Sequence, residues 1–317
     1  MRILNFGSLN IDHVYRVDHL VRPGETIDSA GYTVFAGGKG NNQSIALARA
    51  GAGTWHAGKI GADGTWLRDK LSEAGVDTTH VQEVETPTGH AIIQVDRDGE
   101  NAIVLHGGAN RTVTDADADR ILNHFDSGDI VLLQNEISAI PAVMRSAKSR
   151  GLSVIFNPAP MHSDVLDYPL DLVDIFIVNE TEGRELAGVS DTDNVVDVMR
   201  ERFPAASTVL TLGDRGVHYA GEDGEHAEDA GTVDVVDTTA AGDTFVGYFL
   251  ADVADGRPVS DALRTACRAA AICVTRQGAV DIEFNSIRVV DVARTVRSAV
   301  HDASGQVEPG RDLGQFL

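Results

Sequence analysis

Short apolar runs and amphipathic stretches alternate along this chain. The runs "RILNFGS" (2–8), "TWHAGKIG" (54–61), "DIVLLQNE" (129–136), "SVIFNP" (153–158), "DIFIVNE" (174–180) and "TVLTLG" (208–213) are rich in Val, Ile and Leu. They do not alternate apolar with polar, as a half-exposed strand would, so they suit parallel strands covered on both faces. Between them lie helical patterns. "NQSIALARAGA" (42–52) closes near Gly51, and "DGTWLRDKLSEAG" (63–75) sets Leu67, Leu71 and Ala74 at helical spacing, with Asp63 as its expected cap and Gly75 as its end. Further helices are expected near 140–150, 180–187 and 194–203. Phe245, Val246, Phe249, Leu250 and Val253 mark the buried face of another, ending near Gly256 and Pro258. This rhythm predicts an α/β fold with a doubly wound, mostly parallel sheet.

Two stretches break the rhythm. Residues 12–36 read as strands around a Pro-Gly turn, and 89–107 as a hairpin about Asp98 and Gly99. Together they predict a small β-sheet lid over a cleft, or a plain extension of the main sheet. Periodicity fades after His301, so 1–297 reads as one domain and 298–317 as a C-terminal tail.

Composition narrows the partners. With 26 basic and 48 acidic residues the net charge is −22, and lysine is confined to Lys39, Lys59, Lys70 and Lys148. This argues against a nucleic-acid partner, which calls for a basic surface. The acids are scattered and read as a solvated surface suited to high salt, so stability is expected to rise from low to molar KCl. No run of 18 apolar residues predicts a membrane span. The N-terminus is too short and polar for a signal peptide, so the expected location is cytoplasmic. Cys267 and Cys273 lie six apart in an Ala-rich helix and fit no metal pattern.

The chemistry-bearing residues cluster at predicted strand ends. "AGGKGNNQS" (36–44) reads as a glycine-rich turn before a helix, with Lys39 to neutralise an anion and Asn42 to hydrogen-bond a hydroxyl. It is not a Walker A sequence. Asn10, Asp12 and Glu136 follow apolar runs, where ligands of open α/β sheets bind; each is suited to a sugar hydroxyl, or to a cap or surface position. Asn179 and Glu182, three apart on an opening helix, suit the water shell of Mg2+, or a helix cap. "TLGDRG" (211–216) wraps a nucleotide or makes a hairpin turn. In "DTTAAGDTF" (237–245), Ala240, Ala241 and Gly242 precede a helix with no side chain to obstruct their N–H groups, which makes an anion nest, and Asp243 sits at its mouth. A plain cap needs no such small-residue run.

With these stretches in hand, the chain resembles the PfkB-type carbohydrate kinases, and within them the ribokinase branch. The likeness runs from about residue 1 to 297 and rests on "GSLNID", "PGET", "GGKGNNQ", "GENAIVLHGGAN", "LLQNE", "NPAP", "NETEG", "TLGDRGV", "DTTAAGDTF" and "AAAICVTRQGA", in family order. The Gly-Lys turn and the Asp-containing nest are family signatures. The resemblance implies ATP-dependent phosphorylation of a sugar's primary hydroxyl, D-ribose first among candidates. It implies Asp243 as the base and Ala240, Ala241 and Gly242 as the anion hole. Asn10, Asp12, Gly38, Lys39, Asn42 and Glu136 match sugar-contact positions. Asn179, Glu182, Thr211, Gly213, Asp214 and Gly216 match the nucleotide and Mg2+ region. Asp237 and Thr239, with Cys273, Arg276 and Gly278, match a loop for a monovalent cation, K+. Two positions depart from the family pattern: Cys267 stands where related enzymes carry a histidine near the adenine, and Ile282, beside Asp281, where the cation loop often ends in serine. The resemblance also implies a homodimer joined through the lid. Rival readings are a kinase for fructose or 2-keto-3-deoxygluconate, a nucleoside kinase, which is less favoured because it calls for aromatic stacking at the lid, where Tyr15, Tyr32 and Phe35 are on offer, and a non-catalytic sugar sensor.

Overall fold

The computed structural model describes residues 1–276. Gly278, Asp281, Ile282 and the tail 298–317 lie outside the described residues. The main sheet is built from β1 (Ile3–Phe6), β4 (Thr54–Ile60), β5 (Asp77–Glu83), β8 (Ile130–Gln134), β9 (Ser153–Asn157), β10 (Ile175–Asn179), β11 (Ser207–Thr211), β12 (Val217–Gly221) and β13 (Gly224–Glu228). Their order is β13-β12-β11-β10-β9-β8-β1-β4-β5. All neighbours pair in parallel except β11-β12 and β12-β13, which form an antiparallel edge. From β1 the chain winds outward to β4 and β5, then returns to β8 and winds the other way. The reversal leaves a crevice between the carboxyl ends of β1 and β8, where open α/β sheets bind ligands.

The apolar runs divide by parity. Leu4, Val131, Leu133, Val154, Phe156, Phe176 and Val178 face one layer of helices: α3 (Asp115–Leu122), α4 (Ile140–Ser149), α5 (Glu180–Ala187) and α6 (Val195–Arg202). Ile3, Ile130, Leu132, Ile155, Ile177 and Val209 face the other, where α1 (Lys39–Arg49), α7 (Ala241–Ala254) and α8 (Val259–Val274) pack; α2 (Thr65–Glu73) lies in a smaller cluster with α1. Burial on both faces is why these strands carry no polar alternation. A Cβ on Gly247 would overlap Ala46, so glycine lets α7 lie directly on α1. That approach sets the start of α7 beside the first turns of α1.

The predicted small sheet forms. It contains β3 (Gly31–Gly37), β2 (Asn10–Arg16), β6 (Gly89–Val95) and β7 (Asn101–His106), in that order. The outer pairs are antiparallel and β2-β6 is parallel. The hairpin turn falls at Asp98 and Gly99 as expected, with Gly99 at φ 83°.

Three local expectations are corrected. Asp63 does not cap α2: the N-cap is Gly64, and Asp63 instead accepts the Thr88 N–H at 3.0 Å and its hydroxyl at 2.7 Å, tying the helix entry to the start of β6. The helix expected from Asn42 begins at Lys39, because Gly38 at φ 90° makes the turn alone and leaves Lys39, Gly40 and Asn42 helical. Helix α3 was not anticipated, although its Thr114/Asp117 capping box was readable in "TDAD".

Candidate active site

Polar side chains end the strands on the face where α1 and α7 begin. Asn5 follows Ile3, Gln134 follows Leu132, Asn157 follows Ile155, Asn179 follows Ile177 and Thr211 follows Val209 by the strand period of two. Asp243 enters from above. It is the third residue of α7, is buried, and points at α1 rather than capping its own helix. Asn42 Nδ2 donates to Asp243 Oδ2 at 3.0 Å, and Gln43 Nε2 to Asp243 Oδ1 at 2.9 Å.

The start of α7 is open. Ala240, the N-cap, is left-handed at φ 59° and supplies no side-chain cap. The Ala241 N–H turns back to Thr238, and the Thr244 N–H reaches the Ala240 carbonyl at 2.8 Å. Gly242 and Asp243 have no intrahelical carbonyl within reach of their N–H groups. A Cβ on Gly242 would meet open space, so these donors face a cavity unobstructed. Partial positive charge, free N–H groups and small side chains together form an anion site.

Two cavities meet there. The larger, about 680 Å3, is lined by Thr211, Gly213, Asp214 and Gly216, by Val233 and Val235, and by Phe245, Cys267, Ala270 and Ala271. Every residue expected around a nucleotide is thus on its wall or, for Glu182, in the adjoining space. The turn Gly213–Arg215 also joins β11 to β12, so "TLGDRG" is a hairpin turn and a cavity wall at once. Cys267 is buried in α8, and burial first, then Glu228 and Asp229, push its thiol up to about 12. It offers the cavity a neutral surface. The smaller cavity, about 230 Å3, is lined by Lys39, Asn157, Asn179, Glu182, Gly242 and Asp243 among others.

Asn179 and Glu182 form a reciprocal capping box on α5. Glu182 N–H donates to Asn179 Oδ1 at 2.9 Å, while Asn179 N–H and Nδ2 donate to the two Glu182 oxygens at 3.0 and 2.9 Å. Burial raises the Glu182 carboxyl above its usual range, against the Asn179 N–H and the charge of Lys39.

The remaining candidates gather at the crevice between β1 and β8. Glu136 accepts the Lys39 N–H at 2.9 Å and the Ser8 hydroxyl. Lys39 is half-buried, and its ammonium is raised by the charge of Asp243, then by Glu136 and Glu182, against desolvation. Burial lifts Glu136 above the usual carboxylate range. Asp12 is half-buried on β2; burial, then the charge of Glu136, push it up to about 7. A side chain on Gly37 would overlap the Asp12 carboxylate. Asn10 is buried and accepts Asn110 Nδ2 at 2.8 Å. Lys39 therefore stands among Asp243, Glu136 and Glu182 as the local cation.

Near the end of α8, Thr239 N–H donates to Asp237 Oδ1 at 2.9 Å, and the Cys273 thiol approaches the Thr239 carbonyl at 3.7 Å. The Arg276 N–H reaches the Cys273 carbonyl at 3.2 Å. The structure thus brings Asp237, Thr239, Cys273 and Arg276 together; Gly278 lies outside the described residues.

Sequence reasoning missed Gln43, Gln134, Asn157, Ser8 and Asn110. A signal was present for three of them: Gln134 and Asn157 close apolar runs, and Gln43 follows the Gly-Lys turn.

The pfkB family of carbohydrate kinases matches residues 2–284 of this chain. The ribokinase of Haemophilus influenzae is 36% identical over 283 residues, spanning 86% of this chain and 92% of its own length. The ribokinase of Cryptococcus neoformans var. grubii, solved in complex with ADP, has a TM-score of 0.80 at 35% identity, covering 93% of this chain and 99% of that one. The Arabidopsis thaliana ribokinase, solved with ribose and ATP, has a TM-score of 0.81 at 30% identity, covering 92% and 97%. With the open helix start, the Lys39 turn and a family match over most of its length, the chain belongs to the pfkB family of carbohydrate kinases.

Proposed function

We propose that this chain is an ATP-dependent kinase that transfers the γ-phosphoryl group of ATP to the primary hydroxyl of D-ribose, giving ribose 5-phosphate and ADP. The observation that carries this reading is the Asp243 carboxylate, held at the open start of α7 where the two cavities meet. The likeness to ribokinases selects ribose among sugars.

In this reading the adenine and ribose of ATP occupy the larger cavity, and the phosphates run toward Gly242. Asn10, Asp12, Gly38, Lys39, Asn42 and Glu136 hold the sugar, with its primary hydroxyl at Asp243. The small sheet covers the sugar and excludes water. Asp243 accepts the hydroxyl proton as the oxygen–phosphorus bond forms, and the β–γ bridging oxygen leaves with ADP. Of the expected anion hole, the Gly242 N–H, joined by that of Asp243 and by Lys39, carries charge that develops on the transferring group, while Ala241 N–H is turned back to Thr238 and Ala240 makes the left-handed turn that opens the helix start.

Glu182 fits Mg2+ through water rather than directly, since both its oxygens already accept from Asn179. Bound there with ATP, Mg2+ would neutralise phosphate charge. Asp237 and the nearby backbone carbonyls are hard oxygen donors of the kind a monovalent cation takes, so we assign K+ to that loop. The nucleotide set is Asn179, Glu182, Thr211, Gly213, Asp214, Gly216 and Cys267.

We also assign a homodimer through the small sheet and a cytoplasmic location. Tyr32, Val34, Ile92 and Val104 lie on one face of that sheet and are 52, 42, 41 and 67% exposed, an apolar surface that a second copy would cover. Sedimentation of Val104→Lys against the parent chain tests the dimer; unchanged mass would reject this interface. Among the described residues, no helix is long and apolar enough to cross a membrane.

The deciding experiment is coupled ADP release across ribose, fructose, 2-keto-3-deoxygluconate and a nucleoside, in K+ and in Na+. Ribose is expected to drive the fastest turnover, faster in K+. ADP release that ignores the sugar, or that another sugar drives better, would overturn the assignment.

A further inference from the structure

We infer that Gln43 is a positioning residue for the Asp243 carboxylate, and that the polar row at the strand ends dictates which way its amide points. This rests on Asp243 being the base.

An amide has a donor end and an acceptor end that are nearly the same size, so its orientation follows from its partners. Two backbone carbonyls, which can only accept, fix it here. Asn5 Nδ2 donates to the Gly40 carbonyl at 2.8 Å, so Asn5 Oδ1 is an acceptor and takes Gln134 Nε2 at 2.9 Å. The same Gln134 Nε2 donates to Gln43 Oε1 at 2.6 Å. From the other side, Asn157 Nδ2 donates to the Ile177 carbonyl at 2.9 Å, leaving Asn157 Oδ1 to accept Gln43 Nε2 at 3.0 Å. Both chains demand the same answer: the N–H end of Gln43 faces Asp243 Oδ1. Asn5, Gln43 and Gln134 are fully buried, so no water competes for these bonds.

The consequence is an asymmetric carboxylate. Oδ1 is held from inside the protein by a donor whose direction is set by the strands. Among the described residues, Oδ2 accepts a hydrogen bond from Asn42 alone, which is half-buried. A sugar hydroxyl arriving at Asp243 exchanges with Asn42 at Oδ2, while Gln43 keeps the plane of the carboxylate fixed.

The test compares Gln43→Met, Gln43→Glu and Asp243→Asn with the parent chain, each checked for folding by thermal melting. Gln43→Met keeps the bulk and removes the donor. It is expected to lower kcat by roughly 10- to 100-fold, the cost of a misplaced reacting group, with KM for ribose within about threefold. The acid limb of its kcat profile should move to higher pH, and further still in Gln43→Glu, which sets a second carboxylate beside Asp243. A structural role alone would not move that limb. A kcat within about twofold of the parent in Gln43→Met, a loss carried by KM, or an unmoved acid limb overturns the proposal. Should Gln43→Met fail to fold, the direction of the limb in Gln43→Glu decides. Asp243→Asn is expected to lose roughly 10²- to 10⁴-fold in kcat. If it stays active, the base assignment fails and the proposal with it; if it is inactive while Gln43→Met is unchanged, only the positioning role fails.

Discussion

The two halves of the cleft are built on opposite economies. The half we assign to the nucleotide is walled mainly by glycine, alanine, valine and threonine, with Glu180 and Asp214 as its carboxylates and a thiol that burial keeps neutral. The half we assign to the sugar sets Glu136 and Asp243 around Lys39, with Asp12 in the field of Glu136, and burial lifts Asp12 and Glu136 above their usual range. A flat heterocycle is bound by shape and helix ends, at small electrostatic cost. A polyhydroxylated sugar is bound by carboxylates and amides that the fold must desolvate first. Substitutions in the two halves should therefore differ in the sign of their effect on stability.

The largest effect is expected where the halves join. Gly242→Val places methyl groups into open space at the N–H donors of α7. Its kcat should fall by about 10²-fold, the usual cost of losing one oxyanion-type donor, while the melting temperature changes little. A fully active Gly242→Val would mean that the phosphoryl group does not pass this helix end, and the division into halves would lose its meeting point.

Next comes Asp12→Asn on the sugar side. With its carboxyl raised from 3.8 to about 7, the native protein holds a proton that the unfolded chain has released between those values. Stability contributed by this group therefore falls as pH rises through that window. Asp12→Asn removes the cost. After discounting for partial exposure it should gain about 1–2 kcal/mol at pH 8 and nothing below pH 4, while KM for ribose rises. Urea melts at the two pH values read this out, and a loss of stability at pH 8 would contradict the electrostatic description of the sugar half.

The smallest effect belongs to the nucleotide side. Asn179→Ala removes the cap of α5 and should cost about 1 kcal/mol, at any pH above the carboxylate range. A gain in place of this loss would erase the contrast. The two helix starts at this cleft sharpen the point: α5 satisfies itself with Asn179 and Glu182, whereas α7 has a left-handed alanine and no cap. One end is closed by its own side chains and the other, the one we assign to the phosphoryl group, is left open.

Much of this was legible in the chain. The six apolar runs became β1, β4, β8, β9, β10 and β11, because burial on both faces writes itself as unbroken Val, Ile and Leu. The small sheet and its Asp98-Gly99 turn were legible for a different local reason, the turn residues that separate its strands. "DTTAAGDTF" announced an open helix start through small residues where a cap would otherwise stand. Asp63 was misread because a cap signal is local, while its real partner, Thr88, is 25 positions away. Gln134 and Asn157, at the ends of apolar runs, and Gln43, after the Gly-Lys turn, were overlooked because a lone amide is ambiguous without its partners.

The sequence by itself determined the layers, the strand class and the residues at the strand ends, since each follows from periodicity of two or 3.6 and from side-chain chemistry at one position. Only the tertiary structure decided how those ends meet. Gly247 brings α7 onto α1, and two backbone carbonyls, of Gly40 and Ile177, set the direction of an amide that lies 200 residues from the carboxylate it touches. Hydrogen-bond polarity is a property of a network closed in space, and no window along the chain contains it.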